Sequence, residues 1–206
     1  EAKSFAQLLG ELVNLLEARP KDVIGQLYMN LELGNSNSGQ FFTPDSISRM
    51  MAKFVSGEKI EIPECGFLTM SEPASGAGGM VLAYVDQMIQ QKLNPAYNLW
   101  VQCIDIDRTV ALMCYVQLSL WNVPAQIIVG NSLSLEFREQ FFTPAHYLFN
   151  WDYKLRKQKK ELAEEKEKMA PKETKIKPVT SETPSTPMTK IIEVDEIVQL
   201  DMFSNL

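Results

Sequence analysis

Residues 71–79, Ser-Glu-Pro-Ala-Ser-Gly-Ala-Gly-Gly, constrain this chain more than any other stretch. A short apolar run, Gly66 to Met70, precedes them, and an amphipathic run, Met80 to Leu93, follows. That order predicts a strand, a glycine-rich turn and a helix. Glycines let a backbone turn tightly and approach a ligand closely, and the helix aims its free N–H groups at the turn. A dinucleotide turn reads Gly-x-Gly-x-x-Gly; this one places Glu72 just before the bend. A carboxylate there repels a pyrophosphate. It suits a ligand with an amino group and no phosphate, such as S-adenosylmethionine. Taken alone, the cluster is equally a glycine-rich surface loop.

The neighbouring segments decide between these readings. Gly39-Gln40-Phe41-Phe42-Thr43-Pro44 lies upstream, and Asp22-Val23-Ile24-Gly25-Gln26-Leu27-Tyr28 precedes it. Downstream, Val101-Gln102-Cys103-Ile104-Asp105 is a β-rich run ending in a carboxylate, the position of an acid that grips ribose hydroxyls. A third run, Gln126 to Val129, ends in Gly130-Asn131-Ser132-Leu133. With these segments in this order, residues 20 to 150 resemble the N6-adenine DNA methyltransferases. The resemblance is strongest to the modification subunits of type I restriction systems and their plasmid- and phage-borne relatives.

The resemblance implies an α/β, Rossmann-like S-adenosylmethionine-dependent methyltransferase fold with N-terminal helices. It also implies site roles. Gln40, Phe41, Phe42, Thr43 and Pro44 shape the methionine end of the cofactor pocket. Glu72, Ala74, Gly76 and Gly78 line the turn beneath it. Asp105 accepts from the ribose hydroxyls, Ile106 packs on the adenine face, and Asn131 reaches the adenine amino group. Each residue has a plainer alternative: Asp105 as the cap of the following helix, Phe41 and Phe42 as core.

The chain departs from the family at the catalytic tetrad, Asn/Asp-Pro-Pro-aromatic, whose oxygens accept from the exocyclic amine of a flipped adenine. At the corresponding place stand Tyr147-Leu148-Phe149-Asn150-Trp151-Asp152-Tyr153. Asn150 and Tyr153 are the candidate catalytic residues, and the rigid turn that prolines impose is missing. This leaves two functions open: methyl transfer to adenine N6 in DNA, or a catalytically degenerate, DNA-associated binding or regulatory protein on the same fold.

Composition narrows the surroundings. The 206 residues are 45% hydrophobic, enough for one domain with appendages. One histidine, and three cysteines without metal-like spacing, argue against a metal site. No run reaches membrane-spanning length, which predicts a cytoplasmic protein that does not engage membrane. Residues 1–151 carry 9 Lys and Arg against 15 Asp and Glu, whereas residues 152–206 carry 11 of each. An acidic core does not attract DNA phosphate, although Lys154, Arg156, Lys157, Lys159 and Lys160 form a local basic strip.

Five segments are expected: a helical lead-in (1–57), a methyltransferase-like core (58–153), a charged helix (154–170), a disordered Pro/Ser/Thr linker (171–190) and a C-terminal peptide (191–206). Within the core the expected strands are 66–70, 99–104, 126–129 and Tyr147–Phe149, with helices 79–93 and 107–121 between them. Alternating β and α elements predict a parallel, doubly wound sheet. The sheet is cut short, with an edge for a partner subunit, a homodimer mate or the chain's own C-terminal strand to cover. Gln199-Leu200-Asp201-Met202-Phe203 resembles the bacterial sliding-clamp binding pentapeptide; folding back over the sheet edge is its alternative.

Overall fold

The computed structural model describes residues 2–31 and 42–169. The chain divides into two units, 1–169 and 170–206; the linker and C-terminal peptide belong to the second and lie outside the described residues.

Two helices open the chain, α1 (Ala2–Glu17) and α2 (Val23–Asn30), with Pro20 between them. Asp22 caps α2 by accepting from the Gly25 N–H (2.7 Å). The third helix, α3 (Asp45–Ser56), starts one residue later than Thr43-Pro44 suggests. Pro44 itself is the N-cap, its carbonyl accepting from Ile47 and Ser48, and Thr43 makes no capping bond. Arg19, between α1 and α2, ties this lead-in to α3 through Asp45 at 2.7 Å and also reaches Asp86 at 3.7 Å.

The α/β unit then runs β1 (Leu68–Glu72), α4 (Gly79–Gln90), α5 (Pro95–Asn98), β2 (Leu99–Asp105), α6 (Arg108–Leu120) and β3 (Ala125–Asn131). β1, β2 and β3 are parallel neighbours, with Met70 beside Val101 and Cys103 beside Ile127. Both crossovers step the same way across the sheet. Right-handed connections therefore put α4 and α6 on one face. Their apolar sides meet Leu99, Val101, Ala125 and Ile127 in one core. The expected double winding is thus only half realised. The opposite face carries a polar row instead: Gln102 Nε2 donates to Gln126 Oε1, and Gln126 Nε2 to Gln140 Oε1 (both 3.1 Å).

The fourth strand is the main departure. It is β4 (Glu136–Phe142), antiparallel to β3, with a register irregularity at Val129/Gly130. A Cβ on Gly130 would lie 2.5 Å from the Glu136 carbonyl oxygen, so only glycine permits this close hairpin. Tyr147–Phe149, expected as a strand, instead belongs to α7 (Pro144–Leu148) and its C-cap. Pro144 fits the first helical position. Thr143, fully buried, fixes the entry by accepting from the Ala125 N–H (2.9 Å) and donating to the Val123 carbonyl (2.7 Å). α8 (Trp151–Met169) follows. Among the described residues no helix is long and apolar enough to cross a membrane.

Candidate functional site

In an open parallel sheet, ligands bind outside the carboxyl ends of the strands. Here that edge carries Glu72, Asp105 and Asn131, the last residues of β1, β2 and β3. The glycine turn is sewn to its neighbour strand. The Ser75 N–H donates to the Ile104 carbonyl (2.9 Å) and the Gly76 N–H to Asp105 Oδ2 (2.8 Å). Asp105 Oδ1 accepts from the Asp107 N–H (2.9 Å). Two of the carboxylate's roughly four acceptor positions are thereby used. The capping alternative falls to another residue: Asp107, whose Oδ1 accepts from Thr109 and Val110, is the N-cap of α6.

Gly76 and Gly78 both have positive φ, 54° and 93°. Space is tight as well. A Cβ on Gly76 would lie 3.1 Å from the Phe42 ring, and one on Gly78 would lie 3.0 Å from Cys114 Sγ. Phe42 therefore roofs the turn, held edge-on by Tyr28 at 6.1 Å between centroids. The segment before α3 and the turn after β1, thirty residues apart in sequence, are one structure. Burial pushes the Glu72 carboxyl above its usual range, partly offset by the Ala74 N–H at 3.3 Å. Cys103 and Cys114 are buried free thiols, whereas Cys65 is exposed. Hydrogen bonding to Cys114, then burial, pushes the Cys103 thiol well up.

Sequence reasoning missed the brace behind this turn. Gln117, wholly buried on α6, donates through Nε2 to Asp22 Oδ1 (2.8 Å) and to the Ala77 carbonyl (2.7 Å). Its Oε1 accepts from Val23 (2.9 Å) and Ile24 (3.1 Å). One amide thus joins the start of α2, the glycine turn and α6, with every polar position used. Asp22 was legible as part of a family-like lead-in; nothing in the sequence marks Gln117.

Asn131 and Ile106 complete the edge. Asn131 Oδ1 accepts from Leu133 (2.9 Å) and Ser134 (3.3 Å), so its oxygen closes the β3–β4 turn and its amide nitrogen is the group left for a ligand. Ile106 is 62% exposed beside Asp105. Arg138 on β4 donates to the Ile106 carbonyl, and Arg108 pairs with Glu139 at 2.8 Å. β4 braces the loop after β2.

Asn150 and Tyr153 are not brought to this edge. β4 carries the chain back along β3, a run of roughly 20 Å for seven residues. Beyond it, Trp151 donates to the Ala96 carbonyl (3.1 Å) and packs on Phe67 at 4.9 Å, both before the amino ends of β2 and β1. Asn150 sits at the α7–α8 junction with φ 53°. Tyr153 faces a cleft of about 750 Å³ shared with Phe67, Tyr97, Lys154 and Lys157. On α7, His146 is fixed in one tautomer, with Nδ1 accepting from Trp100 Nε1 (3.1 Å) and Nε2 against Asp152 (3.2 Å). Gln40 and Phe41 lie outside the described residues, as do Gln199 to Phe203.

The family model described as N-6 DNA methylase matches residues 20–179. No curated protein matches the chain.

Proposed function

Because the chain belongs to the N-6 DNA methylase family, we propose that it binds S-adenosylmethionine at the carboxyl edge of the sheet and serves methylation of adenine N6 in DNA. One observation supports this most. The Gly76 N–H to Asp105 bond, with Phe42 over Gly76, joins three separated sequence segments into one cradle whose turn, at φ 54°, favours glycine. The donor set fits the ligand. The remaining acceptor positions of Asp105 suit ribose hydroxyls, the exposed Ile106 offers a flat apolar surface, and Glu72 suits a cationic amine. Asn131, its oxygen occupied, offers an N–H to a ring nitrogen rather than an acceptor to the amino group. The cofactor, when bound, supplies a methyl group on a sulfonium; the chain's own residues hold and orient it.

Calorimetry tests the reading. S-adenosylmethionine or its demethylated product should bind in the micromolar range, about −8 kcal/mol. Asp105→Ala should weaken binding by about 1–3 kcal/mol. No heat at millimolar cofactor would sink the cofactor reading.

A second reading, the catalytically degenerate DNA-associated protein, gains support from the position of Asn150. It follows β4 to the amino ends of the strands, away from Glu72 and Asp105. Tritiated methyl transfer to mixed-sequence DNA separates the two. Incorporation abolished by Asn150→Ala restores that residue to catalysis. Incorporation indifferent to it places the reacting groups elsewhere, and none at all favours the degenerate reading. We propose further that the protein is cytoplasmic and that Gln199–Phe203 binds the sliding clamp. A peptide of residues 191–206 that ignores purified clamp would remove the latter.

A further inference from the structure

His146 is the one histidine of the chain, and it is buried on α7 to 2% exposure. Its two ring nitrogens have partners of opposite kind. Nδ1 takes the indole N–H of Trp100 on β2 at 3.1 Å, and Nε2 faces a carboxylate oxygen of Asp152, in the first turn of α8, at 3.2 Å. An indole N–H can only donate and a carboxylate can only accept. The neutral ring with its proton on Nε2 satisfies both. The imidazolium cannot, because both of its nitrogens donate and one would aim its proton at the proton of Trp100. A buried histidine set between two oxygens can be protonated where it stands; this one has to move.

The surroundings leave one direction for that movement. Phe142 of β4 lies against the ring at 4.5 Å between centroids, and Tyr147 of α7 meets it edge-on at 5.2 Å. β3, against which α7 packs, carries no titratable side chain. On α8 the Lys154 ammonium is turned to the Trp151 and Tyr97 rings, at 4.1 and 5.5 Å. Asp152 is the one charge among the described residues that bears on the ring, and its side chain is 45% exposed to solvent.

We propose that His146 is a two-position, proton-operated latch between the sheet and α8. Neutral, it ties α7 to β2 through Trp100. When solvent delivers a proton to Nδ1, the Trp100 bond breaks and the ring turns to Asp152, where its hydrogen bond becomes an ion pair. Nε2 keeps its own proton throughout, so one proton is taken up and none is released. α7 then loses this tie to β2 and keeps its tie to α8. The start of α8 stays fastened, because Trp151 donates to the Ala96 carbonyl and packs on Phe67 independently of the ring. Burial acts in the same sense, lowering the ring's pKa from the ordinary 6.5 against the pull of Asp152. The native state therefore refuses a proton that the unfolded chain accepts. Its stability is full above that ordinary value and falls as pH drops from there to the folded pKa, where the latch opens.

Nuclear magnetic resonance of the full-length chain tests the latch, since one histidine gives one ring titration. Between about pH 8 and 5, the ring nitrogen shifts should show the neutral form protonated on Nε2. The indole N–H of Trp100, identified by its loss in Trp100→Phe, should leave its hydrogen-bonded shift and exchange faster in step with the ring's titration. The indole N–H of Trp151 should not follow, which separates opening of the latch from unfolding. Trp100→Phe removes the opposing donor and should raise the ring's pKa; Asp152→Asn keeps an acceptor without the charge and should lower it. A neutral ring protonated on Nδ1 overturns the proposal. So does a Trp100 signal indifferent to the titration, a Trp151 signal that moves with it, or a ring that stays neutral down to about pH 5. None of these readouts involves the cofactor, so the result stands apart from the binding site.

Discussion

Asp22 is a buried carboxylate whose charge its surroundings oppose. Burial raises its pKa above the ordinary 3.8, and hydrogen bonds from Gln117 and Gly25 only partly counter this. An acid that holds its proton longer in the native state loses stability as pH rises from its unfolded pKa through its folded one. Asp22→Asn keeps the Oδ1 acceptor without the charge. It should gain on the parent as pH rises through and above the ordinary carboxylate range, whereas Asp22→Ala should lose about 1–3 kcal/mol throughout. Urea unfolding across that range reads both; parallel parent and Asn curves would show that Asp22 is not the titrating group. At this scale the sequence was legible where chemistry and position coincide. Asp105 ends a β-rich run beside a glycine turn, which is enough to single it out. The place of Asn131 at the end of β3 was legible but its hydrogen bonding was not, because the Leu133 and Ser134 N–H groups that take its oxygen are brought to it only once the turn is formed.

Between elements, the joints matter more than the lengths. The strands at 68–72, 99–105 and 125–131 and the helices between them lie within about two or three residues of where their periodicity puts them. The fourth strand did not. Glu136–Phe142 is a strand whose exposed and half-buried positions alternate up to Phe141, although charged and polar residues run together at Arg138, Glu139 and Gln140, while Tyr147–Phe149 is too short an apolar run to distinguish strand from helix. The Pro144 beside it was the helix signal. Gln117 is the joint with the most at stake, since α2, α6 and the glycine turn share one amide. Gln117→Leu fills the space but strands two N–H groups, a carbonyl and Asp22. It should cost about 2–4 kcal/mol in denaturant unfolding and weaken cofactor binding as well. A loss confined to binding would mean that the turn stands without the brace.

For the whole molecule, cofactor binding and stability should be linked, because the cradle is assembled from distant parts of the chain. S-adenosylmethionine at a hundred times its Kd should stabilise the fold by about 2.7 kcal/mol, seen as a raised Tm. Asp105→Ala, at the same cofactor concentration, should cut that stabilisation by about 1–2.4 kcal/mol. Binding without any rise in Tm would show that the unfolded chain binds equally well. The separation also sets a clock. Asp22 and Gln117 lie 95 residues apart, and chains are synthesised at about 5–20 residues per second. Roughly 5–20 s pass on the ribosome between the emergence of one and of the other. For that interval the lead-in helix has no partner for Val23 and Ile24, and the glycine turn nothing to rest on. The cradle closes only after α6 has emerged, so slowing translation just before Gln117 should prolong a chaperone-sensitive nascent state, and slowing it after β3 should not.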